Sequence, residues 1–168
     1  MNRLSIALIG LILLAAPFAG TAGEIDARGS VTNLPLPRFV SMKADKGNVR
    51  RGPSLTHRID WVFKHQGMPL EIIAEYGNWR RVRDIDGAGG WMHYALLSGV
   101  RTVIVLKDFT PLRVRPSVGA DPRAYAEQGV VAHLGACLPD WCKVTASGHK
   151  GWALKSEIWG VKVEEVRE

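Results

Sequence analysis

Two cysteines, five histidines and one cationic, tryptophan-bearing strand are the residues of this chain that could do chemistry. Cys137 and Cys142 bracket Leu138-Pro139-Asp140-Trp141. Pro-Asp is turn chemistry, so a hairpin closing there would set the two thiols across from each other at disulfide range. A redox pair normally has C-x-x-C spacing, and a metal site needs more ligands than two nearby thiols. The order of readings is therefore structural disulfide first, free thiols second, redox centre last. The histidines, His57, His65, His93, His133 and His149, show neither H-x-x-x-H nor H-E-x-x-H spacing. They read as surface or structural histidines, and neither a metal nor a cofactor is expected. No G-x-S-x-G elbow is present, and Gly87-Ala88-Gly89-Gly90 lies between strands, where it makes a turn and not a phosphate cradle.

The segment Trp79-Arg80-Arg81-Val82-Arg83 is more suggestive. Side chains alternate along a strand. With Val82 facing a core, Trp79, Arg81 and Arg83 face outward, and the same parity sets Trp91 opposite Met92. An outward tryptophan among cations offers a rigid stacking area and a salt or cation–π contact for an acidic group. With Tyr76 in the adjacent turn, the candidate ligand surface is Tyr76, Trp79, Arg81, Arg83 and Trp91. Trp141, Lys143 and Trp152 are its weaker counterparts further along. The competing reading, in which the aromatics pack two small barrels together, is favoured for Trp91, Trp152 and Trp159 and is level for Trp79 and Tyr76. Arg50 and Arg115 read as equivalent residues, each clamping the turn that follows it rather than contacting an anion.

The elements that would position these residues come in two copies. Gly67, Trp79, Gly90-Trp91 and Gly99 reappear as Gly129, Trp141, Gly151-Trp152 and Gly160, at offsets of 62, 62, 61 and 61 residues. A deletion of one residue in a turn accounts for the slip, and four landmarks in register identify a duplication. In the first copy, strands are expected at 38–43, 69–74, 79–85 and 90–93, with turns at Tyr76-Gly77-Asn78 and 86–89. A helical turn is expected at 95–99, and 101–106 reads as a strand. The second copy repeats the plan with strands at 130–136, 141–145 and 151–154. There 124–128 reads as one or two helical turns, and 157–159 as the counterpart of the turn at 95–99. Residues 24–37 read as a loosely held extended arm, and 162–168 as a charged tail. The fold class is all-β: two small barrels, 38–100 and 101–161.

Before them, Met1-Asn2-Arg3 and an apolar run to Phe18, followed by Ala19-Gly20-Thr21-Ala22-Gly23, read as a secretory signal spanning 1–23. The run is shorter than the ~20 residues of a membrane span, so an anchored protein is the minority reading. Export to the periplasm or beyond favours the disulfide. Residues 38–102 hold 11 Lys/Arg against 6 Asp/Glu, and 103–160 hold 7 against 5. The first copy is thus the more basic. In an exported protein the available polyanions belong to the cell envelope and not to nucleic acid.

Asn48-Val49-Arg50-Arg51-Gly52-Pro53-Ser54, Trp79-x-x-Val82 and Gly90-Trp91-Met92 resemble, in that order and twice, the signature of bacterial SH3-like domains. With Pro69–Tyr76 and Trp79–Asp84 they resemble the exported tandem subfamily of Gram-negative bacteria. The second entry, Arg113-Val114-Arg115-Pro116-Ser117, lacks the glycine and reads as two residues shorter. The resemblance implies barrels of five to six strands. It also implies a non-catalytic role in binding cell-wall material or an envelope protein or peptide. Two alternatives stand beside it: an adaptor using its aromatics for repeat or homodimer packing, and a small envelope enzyme with a cysteine nucleophile.

Overall fold

The computed structural model describes residues 27–168, and the expected signal sequence lies outside them. It is all-β: sixteen strands and two short 3-10 turns. A small hairpin, β1 (Ala27–Arg28) and β2 (Pro35–Leu36), precedes two seven-stranded sheets. The first sheet uses β3 (Arg38–Met42), β4 (Gly47–Arg50), β5 (Ile59–Phe63), β6 (Pro69–Tyr76), β7 (Trp79–Arg83), β8 (Gly89–His93) and β9 (Leu97–Ser98), in the spatial order β5-β4-β8-β7-β6-β3-β9. The second uses β10 (Thr102–Val105), β11 (Thr110–Arg113), β12 (Pro122–Ala126), β13 (Val131–Cys137), β14 (Trp141–Ala146), β15 (His149–Leu154) and β16 (Ile158–Trp159), in the matching order β12-β11-β15-β14-β13-β10-β16. Each sheet curls on itself because the chain leaving β8 or β15 passes a 3-10 turn and then pairs with the sheet's first strand.

Strand register fixes which side chains meet. Bulges between Ile72 and Ala74, and between Leu134 and Cys137, bend the long second hairpin of each barrel. Inward residues form one core per barrel. The first holds Met42, Val49, Phe63, Leu70, Ile72, Val82 and Met92. The second is built from smaller groups, with four alanines among its twelve members, and the paired Cys137 and Cys142 at one end.

Those cysteines form a disulfide, with the two Cα atoms 4.1 Å apart. Cys137 and Cys142 are direct cross-strand partners, as the turn residues between them require. The position has a counterpart. Glu75 pairs with Arg80 across the matching hairpin of the first barrel, at the same 62-residue offset. A buried ion pair, Arg80 Nε to Glu75 Oε1 at 3.4 Å, thus stands in one barrel where a covalent bond stands in the other. Closing so short a loop is worth about 2 kcal/mol on the chain-entropy model. Reduction should therefore lower the stability of the second barrel by about 2 kcal/mol. Thiol titration should find no free thiol before reductant and two after it. A urea titration followed by amide signals of β13 and β14 that does not move on reduction would count against the staple.

Several elements differ from the sequence reading. The arm is not loosely held. The β1–β2 hairpin is fastened to Glu75, whose carboxylate accepts from the Val31 and Thr32 amides at 3.0 and 2.9 Å, from the Thr32 hydroxyl at 2.7 Å, and from Arg38. Nor is 162–168 merely a charged tail. Arg167 exchanges two backbone hydrogen bonds with Cys137. Glu165 accepts from both terminal nitrogens of Arg101, and the buried Lys155 ammonium donates to the Val163 and Glu165 carbonyls. Residues 124–128 do not turn into helix. Ala124–Ala126 belong to β12, where pairing with β11 overrides the helical preference of Ala, Glu and Gln. The two 3-10 turns sit slightly upstream of expectation, at Tyr94–Leu96 and Lys155–Glu157.

Three residues, Gly99 to Arg101, connect the sheets. Across the junction the Thr102 hydroxyl donates to the Gly67 carbonyl at 2.6 Å. Phe39 meets Trp159 edge-on at 5.1 Å, and the Arg101 guanidinium lies over Phe39 at 5.6 Å. The packing role expected of Trp159 is the one it has. No helix among the described residues is long and apolar enough to cross a membrane.

Candidate ligand groove

Antiparallel pairing of β6, β7 and β8 lays the outward side chains in rows. Tyr76, Trp79 and His93 are register partners, and Arg81, Trp91 and Arg50 form the next row. Val82 and Met92 point the other way and are buried, so the alternation inferred from sequence holds. In the second barrel the same rows carry Trp141 with Leu154, and Lys143 with Trp152 and Arg113.

A groove of about 320 Å³ opens beside the first row, lined by Lys46, Asn48, Arg50, Leu55, Trp79, His93 and Leu96. Its floor is aromatic. The Trp79 and His93 rings meet at right angles, 5.5 Å apart, and Tyr94 tilts against His93 at 5.0 Å. The Ala95 amide donates to His93 Nδ1, so the proton of the neutral imidazole sits on Nε2. Two cations, Lys46 and Arg50, are among the lining residues, and no carboxylate is.

The five candidate residues divide. Trp79 lines the groove. Arg81 and Trp91 lie one row away, and Tyr76, 65% exposed, stands at the far end of the Trp79 row. Arg83 is committed elsewhere, in an ion pair with Glu71. Lys143 lies over the Trp152 ring at 5.7 Å, so those two engage each other. Sequence reasoning missed Lys46, Asn48, Leu55, Leu96 and His93. The first three come from β4 and its flanks, Lys46 just before the strand and Leu55 in the loop after it, which reach the groove only through long-range pairing. His93 had one local signal, its place two residues after Trp91 on the same strand face.

The second barrel keeps a groove in the equivalent place, about 390 Å³, lined by Val118, Pro139, Asp140, Trp141, Leu154, Lys155, Ser156 and Val163. Trp141 answers to Trp79, Leu154 to His93 and Val118 to Leu55. Among the described residues no group of three or more His, Cys, Asp or Glu side chains gathers as a metal site would require.

A family model described as bacterial SH3 domain matches residues 43–99 and again 107–160. The chain belongs to the bacterial SH3 domain family. Two solved structures that match the chain are NlpC2 from Trichomonas vaginalis (12% identity, TM-score 0.36) and NlpC1 from the same organism (11% identity, TM-score 0.35). Each alignment covers 79% of this chain, and 51% and 49% of those chains, so this chain spans about half their length. No curated protein matches the sequence.

The two bacterial SH3 domains correct one residue equivalence. Arg50 faces Trp91, and the residue facing Trp152 is Arg113, not Arg115. Counting from there, the second entry loop is not shortened. Residues 51–58 link β4 to β5 and 114–121 link β11 to β12, eight residues in each domain. The clamp role survives the correction. Arg50 donates to the Leu55 and His57 carbonyls at 3.0 and 2.7 Å, and Arg113 donates to the Ala120 carbonyl at 2.6 Å. In each bacterial SH3 domain an arginine thus pins the loop that forms one wall of the groove. The glycine of the family entry is not needed for this, since Arg115 stands in the place of Gly52, ahead of the retained proline, in a loop of the same length.

Proposed function

We propose that this protein is an exported, non-catalytic binding module, periplasmic or secreted, which holds cell-wall material or an envelope protein or peptide in the first-domain groove. The observation that carries this reading is the groove itself: Trp79 and His93 form an aromatic floor, with Lys46, Asn48 and the loop-clamping Arg50 around it. Extended ligands suit such a site, because a rigid indole supplies area at little entropic cost while flanking polar groups fix register. Residues 1–23 are read as the signal that delivers the protein, and a structural disulfide suits an oxidising compartment.

The cysteine-enzyme alternative loses its nucleophile in this structure, since both sulfurs are bonded to each other and both cysteines are fully buried. The adaptor alternative keeps a specific observation in its favour, the Phe39–Trp159 contact between domains. That contact uses aromatics remote from Trp79 in register and leaves the groove open.

Trp79→Ala should reduce co-sedimentation with purified peptidoglycan sacculi about tenfold or more, as loss of a central aromatic anchor does. The circular dichroism spectrum should be unchanged. Equal sedimentation of wild type and variant would sink the cell-wall version of this reading.

A further inference from the structure

The two domains are built alike, yet their grooves differ in charge. Register places Lys46 of the first domain where the second has Phe109, and Asn48 where it has Pro111. His93 corresponds to Leu154 and Leu55 to Val118. All three polar or charged positions thus carry apolar residues in the second domain, where of the three only Leu154 lines the groove and Asp140, Lys155 and Ser156 supply its polar lining instead. Residues that the fold needs in both places, Arg50 with Arg113 and Trp79 with Trp141, are kept as arginine and tryptophan. The first groove thus presents two cations and no carboxylate, whereas the second presents Asp140 and a Lys155 whose ammonium already donates to the Val163 and Glu165 carbonyls.

Resting on the reading above, we propose that the first-domain groove selects a carboxylate-bearing extended peptide, and that the second-domain groove does not share this preference. Arg50 uses one terminal nitrogen on the Leu55 and His57 carbonyls, and its other nitrogens have no protein partner among the described residues. Its position is thereby fixed while part of its donor fork stays free, the state in which a guanidinium loses least entropy on accepting a carboxylate. Lys46 is exposed and forms no ion pair among the described residues. Asn48 and the Nε2–H of His93 add neutral donors. None of the lining residues is acidic, so an incoming carboxylate meets attraction with no like charge in the groove. The apolar parts of such a peptide would lie on Trp79, Leu55 and Leu96.

The probes are two blocked peptides of alternating sequence, one Ala-Glu and the other its Ala-Gln isostere. They are titrated against the full-length mature protein by calorimetry, and by the indole N–H signals of Trp79 and Trp141. The glutamate peptide should bind at least tenfold more tightly than the glutamine peptide, move the Trp79 signal first, and weaken with added salt. Lys46→Gln, a surface change outside the loop clamp, should narrow that preference about fivefold, the worth of one well-placed charge pair. Equal binding of both peptides would overturn the carboxylate preference while leaving the groove as a binding site. A preference that moves Trp141 in place of Trp79 would overturn the assignment to the first domain. If neither peptide binds while sacculi still sediment with the protein, the proposal falls and the proposed function stands. If neither peptide binds and sacculi do not sediment either, both fail.

Discussion

Glu75→Ala should destabilise the first barrel by about 3 to 5 kcal/mol, the range for breaking a buried, hydrogen-bonded ion cluster from one side. Its carboxylate side chain has no exposed surface. Removing it leaves the Arg38 and Arg80 guanidiniums without their shared counter-charge, and it strips acceptors from the Val31 amide and from the amide and hydroxyl of Thr32. The β1–β2 hairpin should come free at the same time. The measurement is chemical denaturation, together with proteolysis near residue 30. A loss under 1 kcal/mol with the arm still protected would refute the role. Glu75→Gln keeps the shape and one acceptor and should fall between the variant and wild type.

The same carboxylate dictates a pH dependence. Burial by itself would push Glu75 up, but the Thr32 hydroxyl and amide, Arg38 and the Val31 amide override it and hold the group at about 2. The folded value lies below the unfolded one. The stabilisation is therefore complete above about pH 4.5 and is lost as pH falls toward 2, an effect of roughly 3 kcal/mol. Asp84 works in the opposite sense. Burial raises its carboxyl despite the amide hydrogen bonds it accepts, so ionising it costs stability as pH climbs past the ordinary carboxylate range. Glu75→Ala should flatten the acid limb of the curve, and an unaltered limb would mean that other carboxylates govern it.

Little of this cluster was legible in the sequence, and the reason is physical. Duplication is read through apolar and glycine landmarks that recur because two cores need them. Glu75 and Arg80 share no chemistry with Cys137 and Cys142, so only strand register shows that they occupy the same place. What was legible followed from the two-residue period: the outward tryptophans, the buried Val82 and Met92, and the disulfide across a Pro-Asp turn. By residue type Val114-Arg115 repeats Val49-Arg50, which makes Arg115 look like the counterpart of Arg50. Pairing selects Leu112-Arg113 instead, since Leu112 fills the core position of Val49. The groove was half legible. Trp79 lies on a strand with clear alternation, whereas Lys46, Asn48 and Leu55 arrive from segments distant in sequence.

The second large effect falls on the glycine before each family tryptophan. A Cβ on Gly90 would lie 2.5 Å from the Arg50 carbonyl oxygen, and one on Gly151 would lie 2.6 Å from the Leu112 carbonyl carbon. In both cases the obstacle is backbone of the neighbouring strand, which cannot swing aside as a side chain can. Gly90 also has φ +153°, so an L-residue there meets strain as well as collision. Gly90→Ala should cost about 3 kcal/mol or more, at the upper end for overpacking. Gly151→Ala should cost less, because only the collision applies. Urea denaturation of the two variants decides this. Stability within 1 kcal/mol of wild type, or the reverse order, would show that β8 and β15 can move away from their neighbours.

The unlike staples at 75–80 and 137–142 have a further consequence for a protein that carries two grooves. Acid loosens the first domain and leaves a sulfur–sulfur bond untouched, whereas a reductant weakens the second domain and leaves the carboxylate cluster intact. Burial aside, Arg101 holds the Glu165 carboxyl below its ordinary range in the second domain, so acid reaches that half as well and only the reductant acts on one half alone. For the experimenter reduction is thus the selective handle, by which the second domain can be loosened in the intact chain and the recognition left to its sibling measured alone.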